Sequence, residues 1–297
     1  MTTVSAKTVL RSRNASAPDN VLSTLLLRYP RFIHAEFMTH RALSRNAASS
    51  RAIPVKKIID DILADTAMPL HWGADQRGMQ AFEECSAKVL TPIADYRTRE
   101  EAWYEARDYA IRIARAYEEA GYHKQVVNRL LEPFMHITVL VSATEWDNFL
   151  ELRDHKDAEP HIQMLAREIR KCLDQDPIQT LEPGGWHLPF VNERDLAELP
   201  SERWLDYAKK LSVARCAGTS YKTVDGFDMT IERAVKLHDK LVGSRPMHAS
   251  PCEQVAQADA GSKIGYPGDY YIRWENEREH ANFVGFRQYR HQLGVAA

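Results

Sequence analysis

Two short, strongly apolar runs interrupt a pattern that is otherwise mostly helical, and they constrain the fold more than any other feature. Residues 21–29, VLSTLLLRY, predict a buried strand that ends at Pro30. Residues 137–141, ITVLV, are β-branched and predict a short strand or the start of a helix. The longest helical pattern covers about residues 99–120, with its apolar side chains on one face. The chain should therefore combine a few strands with many helices.

The other segments divide into helical patterns and stretches rich in loop-forming residues. Further helices are predicted at residues 31–43, 55–63 (after Pro54), 144–153, 159–173, 201–217 and 229–242. Loops are predicted at residues 44–54 and 71–80, a linker or lid at residues 174–200, and a folded but irregular tail at residues 261–291.

Composition excludes several classes of protein. The chain has 297 residues, 44% of them hydrophobic, which excludes wholesale disorder. A net charge of -2 argues against nucleic-acid binding through bulk charge. No apolar stretch is long enough to cross a membrane or to serve as a secretory signal. The four scattered cysteines indicate reduced thiols, so the expected location is cytoplasmic.

Residues 36–51, EFMTHRALSRNAASSR, concentrate side chains that bind phosphate. Arginine forks bind phosphate with two hydrogen bonds, and serine hydroxyls and loop N–H groups add neutral donors. The alternative is a solvated helix end followed by a flexible loop. Arg153 is the last residue of an apolar helical stretch. An arginine in this position extends its charged group to solvent, forms an ion pair with an acidic side chain, or belongs to a binding site.

Residues 247–254, MHASPCEQ, allow two interpretations of Cys252. It is either a thiol nucleophile or, as we favour, a small buried hydrophobe. The sequence has no GxGxxG after a strand, no phosphate-binding P-loop and no HExxH, so it predicts neither a dinucleotide-binding Rossmann unit nor a metal site.

Residues 39–51, THRALSRNAASSR, resemble the signature RHRxxSxNExSxR of the flavin-dependent thymidylate synthases, the ThyX family. Six positions match, whereas Thr39 replaces the first arginine, Ala47 replaces the glutamate and Glu36 stands where the family often has glutamine. The matching residues are His40, Arg41, Ser44, Asn46, Ser49 and Arg51.

Two more segments extend the resemblance. Arg129 and Pro133, followed by the run Asn148 to Arg153, are similar to the family's second motif, although Ser142 and Thr144 depart from it. VARCAGTSY (213–221) and HASPCEQ (248–254) resemble segments that precede the signature in the family, so the order here looks circularly permuted.

The resemblance implies an α+β fold with a central antiparallel or mixed sheet flanked by long helices. It implies a single catalytic domain over residues 1–297, made of a signature and nucleotide-binding part (21–170), an insertion or lid (174–205), a permuted flavin-binding part (211–254) and an unmatched tail (255–297). It also implies a homotetramer with active sites at subunit interfaces.

The implied reaction is the reductive methylation of dUMP to dTMP. It uses FAD, 5,10-methylenetetrahydrofolate as the one-carbon donor and NADPH as the reductant, without a protein nucleophile. Arg153 would act on the base. The residues implied in dUMP binding are Glu36, Ser49, Ser50, Arg51, Arg129 and Arg153. The residues implied in FAD binding are His40, Arg41, Asn46, Ser142, Asn148, His248 and Ser250. The alternative is a related enzyme that makes another C5-modified pyrimidine nucleotide, such as 5-hydroxymethyl-dUMP or a dCMP derivative.

Overall fold

The computed structural model describes residues 2–93, 95–221, 229–266 and 269–294. Its strands are β1 (Ser5–Asn14), β2 (Ala17–Pro30), β3 (Ser44–Ala47), β4 (Val89–Leu90), β5 (Tyr96–Arg97), β6 (His136–Ala143), β7 (Gln179–Leu181), β8 (Trp186–His187), β9 (Ala256–Ala258), β10 (Gly261–Tyr266), β11 (Asp269–Trp274) and β12 (Phe286–Gln288). Its α-helices are α1 (His34–Phe37), α2 (Val55–Ala64), α3 (Arg99–Glu119), α4 (Lys124–Val127), α5 (Asp147–Arg153), α6 (Pro160–Gln175), α7 (Glu193–Glu198), α8 (Trp204–Tyr221), α9 (Ile231–Gly243) and α10 (Tyr289–Gln292). Short 3₁₀ turns cover Arg31–Ile33, Asn128–Phe134, Ser201–Arg203, Ser250–Gln254 and Glu277–Glu279.

A five-stranded mixed sheet organises the described part of the chain. Its strand order is β3-β6-β2-β1-β7, and its pairs are antiparallel except for the parallel pair of β1 with β7. The predicted strand 21–29 lies within β2, and residues 137–141, predicted as a strand or the start of a helix, lie within β6, which pairs with β2 at the centre. The expected α+β class with a mixed sheet is therefore confirmed at this level.

One face of the sheet packs against α5 and α6. Alternate residues of β2 and β6, such as Leu25 and Val141, are fully buried there against Ile162 and Leu165 of α6. Proline at the first position of α6 suits a helix start, and the Glu159 carboxylate accepts the backbone N–H groups of His161 and Ile162 at 2.8 and 3.1 Å. This core fixes the start of α6 next to the end of α5.

A second core forms where α2 and α3 pack on the 3₁₀ turn of residues 128–134. The apolar stripe of α2 buries Ile58, Ile59 and Ile62 against Leu131. The start of α3 is fixed by a capping box, in which Thr98 and Glu101 exchange side-chain and backbone hydrogen bonds. The helices predicted at 55–63 and 99–120 are confirmed to within one residue at each end.

The opposite face of the sheet carries a row of polar side chains that crosses three strands, β1, β2 and β6. Ser12, Thr24 and Ser142 lie in this row, and His187 and Gln254 reach it from the layer above. The contacts are Ser12 Oγ to His187 Nδ1 at 2.7 Å, His187 Nε2 to Thr24 Oγ1 at 2.8 Å, Thr24 Oγ1 to Ser142 Oγ at 2.6 Å, and Ser142 Oγ to Gln254 Oε1 at 2.7 Å. All five residues have 0% exposure.

The directions of these hydrogen bonds determine the state of His187. Because the Ser142 hydroxyl donates to Gln254, it accepts from Thr24, and Thr24 in turn accepts the Nε2–H of His187. The hydroxyl of Ser12 then donates to the unprotonated Nδ1. Burial lowers the pKa of His187 from 6.5 to about 3, so the ring is neutral at neutral pH.

Several segments differ from the sequence predictions. The helix predicted at 31–43 ends at Phe37, because the Arg45 guanidinium binds the carbonyl oxygens of Met38 and His40 and thereby holds a turn. The loop predicted from residue 44 begins with β3, which pairs with β6. No strand was predicted before residue 21, yet β1 occupies Ser5–Asn14. Apolar and polar residues do not alternate regularly along β1, because the pairing of β1 with β2 shifts register between Thr8 and Leu10.

The presumed linker and tail also contain ordered elements. The segment at 174–200 contributes β7 to the main sheet, together with β8 and α7. The tail at 261–291 forms a hairpin of β10 and β11, and β12 joins a small sheet with β9 and β8. β7, β8 and β12 have two or three residues each and pair with strands far away in the sequence, so the local pattern gave little sign of them. None of the helices in the described ranges combines the length and apolar content needed to cross a bilayer.

The buried, neutral His187 predicts an acid-sensitive fold. Below pH 6.5 the unfolded chain binds a proton at this residue that the folded chain refuses, so the free energy of unfolding should fall as the pH drops from 6.5 to about 3. His187→Gln should cost about 1–3 kcal/mol at neutral pH and should lose less stability on acidification than the wild type. Urea unfolding over this pH range tests it, with the exposed His155→Gln as control. Equal pH slopes for the wild type and His187→Gln would contradict it.

Candidate active site

The turn after α1 is held by its own polar side chains. The Thr39 hydroxyl donates to the carbonyl oxygen of Glu36 at 2.7 Å. Arg45 donates to the carbonyl oxygens of Met38 and His40 at 3.1 and 2.7 Å. These bonds satisfy the carbonyls that a continuing helix would have used. The signature segment therefore leaves α1 as a compact turn and enters the sheet as β3.

Arg153, the last residue of α5, lies against this turn. Its Nε donates to Nε2 of His40 at 2.8 Å, and its Nη2 donates to Oγ1 of Thr39 at 3.3 Å. His40 must therefore carry its proton on Nδ1. Burial, together with the charges of Arg153 and Arg45, lowers the pKa of His40 and keeps it neutral. The His40 ring packs edge-on against Phe149, with 4.8 Å between ring centroids, which fixes the acceptor in place.

This arrangement orients the guanidinium and leaves part of it available. Two of the five N–H donors of Arg153 are used by His40 and Thr39, so three remain. A guanidinium stays charged at neutral pH and presents its remaining donors as a planar fork. Arg153 can therefore bind a planar or anionic acceptor while its position is held from behind.

The guanidinium lines a cleft of about 620 Å³, a volume within the range of small-molecule sites. The opposite wall is the loop at residues 71–82, in which Met79 and Phe82 are exposed. Lys156 also lines the cleft. The sequence predicted a surface loop at 71–80 and gave it no role, because its place in the wall of the cleft depends on tertiary structure.

Glu36 lies in the same cleft as Arg153, but no ion pair joins them within the described residues. Burial raises the pKa of the Glu36 carboxyl, and Glu159 raises it further, whereas Arg153 and His161 oppose the shift. Glu159 itself is occupied, because its Oε1 contacts His161 Nδ1 at 2.5 Å and its Oε2 caps α6.

Two of the other residues implied in dUMP binding, Ser50 and Arg129, meet at Glu132, and Ser49 and Arg51 flank Ser50 in the chain, so we treat these four as a second group. Oε1 of Glu132 accepts from Ser50 at 2.9 Å and from Arg129 at 2.9 Å, and it pairs with Arg31 at 3.1 Å. Arg51 is exposed, and the Arg129 side chain is 55% exposed. Ser49 is half-buried, whereas Ser50 is buried with its hydroxyl donated to Glu132.

No hydrogen bond or ion pair in the described ranges connects this second group to Glu36 or Arg153. The chain therefore presents two separate groups of predicted nucleotide-binding residues. Glu132 was missed by sequence reasoning, and the only signal was its position three residues after Arg129, a spacing that brings two side chains together on a helical turn.

Ser250 contacts the signature segment through Asn46. The Ser250 hydroxyl donates to Oδ1 of Asn46 at 3.3 Å, and Nδ2 of Asn46 donates to the carbonyl oxygen of Cys216 at 2.6 Å. His248 is exposed and Ser250 is half-buried. Residues 213–221 and 248–254, the two segments whose order differs from that of the family, therefore both contact Asn46 of β3 within one chain.

The remaining residues implied in flavin binding differ in accessibility. Arg41, in the turn before β3, and Asn148, next to Phe149 on α5, are exposed. Ser142 is fully buried in the polar row between Thr24 and Gln254. Its burial does not favour direct contact with a flavin, so Ser142 instead supports the layer that carries Ser250.

Cys252 has no exposed surface, and burial raises the pKa of its thiol to about 12. The thiolate is the reactive form of cysteine, so this residue is poorly suited to nucleophilic attack. The structure therefore favours the interpretation of Cys252 as a small buried hydrophobe.

This environment predicts contrasting reactivity for two cysteines. In the folded protein at neutral pH, a thiol-alkylating reagent should modify the exposed Cys85 and should leave Cys252 unmodified until the chain unfolds. Peptide mapping by mass spectrometry, with and without urea, measures this difference, and Cys85→Ala serves as the control. Modification of Cys252 in the folded protein as fast as that of Cys85 would contradict it.

A larger depression of about 810 Å³ lies between β1 and the end of α6, away from these residues. Its buried cation, Arg11, donates to Ser23 and to the carbonyl oxygens of Cys172 and Asp176, so its role is to cap α6. Among the described residues, no group of three or more histidine, cysteine or acidic side chains is placed to hold a metal ion.

The geometry defines an α+β protein with an arginine-lined cleft suited to a planar, anionic ligand. The family model described as "Thymidylate synthase complementing protein" matches residues 3–177, more than half of the chain. The protein therefore belongs to this family, and the resemblance inferred from residues 39–51 is confirmed. The match does not include residues 178–297, which carry His248 and Ser250.

Among solved structures, the chain is similar to a UMP/dUMP methylase, PolB, from Streptomyces cacaoi. With the protein bound to 5-Br UMP, the identity is 15%, 58% of this chain and 89% of that chain are covered, and the TM-score is 0.44. With 5-Br dUMP, the identity is 13%, the coverage is 58% and 90%, and the TM-score is 0.40. None of the curated proteins matches the sequence.

Proposed function

We propose that the protein is a flavin-dependent enzyme that transfers a one-carbon unit to C5 of a pyrimidine deoxynucleoside monophosphate. The family's reaction is the reductive methylation of dUMP to dTMP with FAD, 5,10-methylenetetrahydrofolate and NADPH. The observation that carries the proposal is the Arg153 fork, held by His40 of the signature and open to a nucleotide-sized cleft. Membership of the family supports it independently.

In this proposal Arg153 binds the base and stabilises negative charge on the ring as C5 becomes nucleophilic. His40 orients the guanidinium by accepting from Nε, and it can do so only while it is neutral. The low pKa of His40 therefore protects the geometry of Arg153. No protein nucleophile is assigned, which agrees with the burial of Cys252.

Ser49, Arg51 and Arg129 would bind the phosphate of the nucleotide. Arg51 follows Ser49 and Ser50 in the chain and is exposed, and Arg129, which pairs with Glu132, is also exposed, so these residue types suit a monoester phosphate. Because this group does not contact Glu36 or Arg153 within the chain, we propose that it completes the cleft of a neighbouring subunit. A homotetramer with sites between subunits would bring the two groups together.

The accessible residues around the signature turn fit a flavin. Arg41 would supply an exposed cation for a pyrophosphate, and the accessible Asn148, His248 and Ser250 would supply polar groups. When bound, the reduced flavin would supply the hydride. We further propose that residues 211–254 are the permuted flavin-binding part, because Ser250 meets Asn46 of the signature.

Arg153 provides the first test. Arg153→Ala should retain bound flavin and lose turnover by roughly 100-fold or more, because the fork that stabilises charge on the base is gone. Arg153→Lys should also fail, since an ammonium group cannot bind as a planar fork. Steady-state kinetics and flavin absorbance measure the two properties. The exposed Arg167→Ala, which loses only a surface ion pair with Asp154, is the matched control. Normal turnover of Arg153→Ala would refute the assignment.

Arg51 provides the second test. Arg51→Ala should weaken nucleotide binding by about 2–4 kcal/mol if the contact with phosphate is desolvated, and it should leave the flavin content unchanged. Isothermal titration with a nucleoside monophosphate and with the corresponding nucleoside separates the phosphate contribution. A variant that loses flavin and binds nucleotide normally would show that Arg51 belongs to the flavin site.

The alternative product, another C5-modified pyrimidine nucleotide, is favoured by one local departure. Thr39 replaces the first arginine of the family signature and contacts Arg153, so the surroundings of the base differ from the family pattern. Mass spectrometry of the products from dUMP and dCMP distinguishes methylation from hydroxymethylation and uracil from cytosine.

A further inference from the structure

The base end of the cleft contains one carboxylate and one guanidinium that do not neutralise each other. Glu36 and Arg153 line the same cleft, and no ion pair joins them within the described residues. No side chain or N–H group in the described ranges donates to the Glu36 carboxylate, while Arg153 keeps three free donors. The cleft therefore offers a ligand a pair of adjacent donors and a separate acceptor.

The other carboxylates of the cleft are less available as acceptors. Glu159 is occupied by His161 and by the start of α6. Asp157 is nearly half exposed and lies 3.6 Å from His155. Glu36 is the half-buried carboxylate that faces the same cleft as the guanidinium, and burial strengthens any hydrogen bond it accepts.

The two pyrimidine bases differ in how they match this pattern. Cytosine presents two adjacent acceptors, O2 and N3, followed by a donor, the exocyclic 4-amino group. The fork of Arg153 can bind the two acceptors, and Glu36 can accept from the amino group. Uracil presents O2, then N3–H as a donor, then O4 as an acceptor. O4 would face an ionised carboxylate and N3–H would face the guanidinium, so two of the three positions conflict.

We infer that the Glu36–Arg153 cleft selects a pyrimidine with an exocyclic amino group, so that dCMP binds in preference to dUMP. This inference rests on the proposed function and names the nucleotide for that same site. Glu36 is then the residue that determines specificity, and Arg153 donates to O2 of either base and to N3 of cytosine alone. The preference for dCMP does not determine whether C5 is methylated or hydroxymethylated, because C5 lies on the side of the ring away from the O2–N3–N4 edge.

The test is a competition between two nucleotides on the full-length protein with its flavin. Binding of dCMP and dUMP is measured by isothermal titration at mildly alkaline pH, which favours the ionised form of Glu36, whose pKa is raised by burial. We expect dCMP to bind at least about tenfold more tightly, because the wrong base leaves a buried polar group unpaired. Glu36→Gln should lower this ratio at least about tenfold, since an amide can donate to O4 of uracil. Asp157→Asn removes a neighbouring carboxylate and should leave the ratio unchanged.

The outcomes separate this inference from the proposed function. Tighter binding of dUMP by the wild type, with a ratio that Glu36→Gln does not alter, overturns the inference and leaves the proposed function intact. Failure of the flavin-loaded protein to bind either nucleotide overturns the proposed function, and the inference falls with it. Thermal unfolding followed by circular dichroism shows whether Glu36→Gln is stably folded. If it is not, the ratio of the dUMP and dCMP dissociation constants of the wild type alone tests the inference.

Discussion

The buried polar row across the sheet is the constraint on which the rest of the structure depends. A sheet face that carries Ser12, Thr24 and Ser142 cannot be covered by an apolar layer without leaving hydroxyl groups unpaired, at a cost of about 1–3 kcal/mol each. The covering layer supplies His187 and Gln254, which form hydrogen bonds with the three hydroxyl groups. Because hydrogen bonds are directional, this layer can sit on the sheet in only one register.

That register places the candidate site. Gln254 closes the 3₁₀ turn that begins at Ser250, so fixing Gln254 over Ser142 sets Ser250 beside Asn46 of β3. On the other face, the apolar packing of α5 sets Arg153 against His40. The signature segment is therefore held from both faces, by a polar layer on one side and an apolar core on the other.

Sequence reasoning succeeded where residue spacing carried the signal and failed where a side-chain contact or a strand partner decided the structure. The spacing of residues 39–51 was enough to predict the family, and the apolar stripes predicted α2 and α3 closely. The helix predicted across residues 38–43 was wrong because Arg45 takes the carbonyl oxygens of the turn, a contact that periodicity does not encode. The family resemblance also gave Ser142 a flavin-binding role, although its position in β6 buries it completely.

The sequence by itself determined the family, the strand at the centre of the sheet, the main helices and a set of candidate site residues. Only the tertiary structure decided how these residues are divided: Glu36 and Arg153 share one cleft, Arg51 and Arg129 lie in another group, and Ser142 and Cys252 are buried. The physical reason is that residue type and spacing specify which contacts a side chain can make. Packing and the pairing of buried polar groups select which of those contacts form.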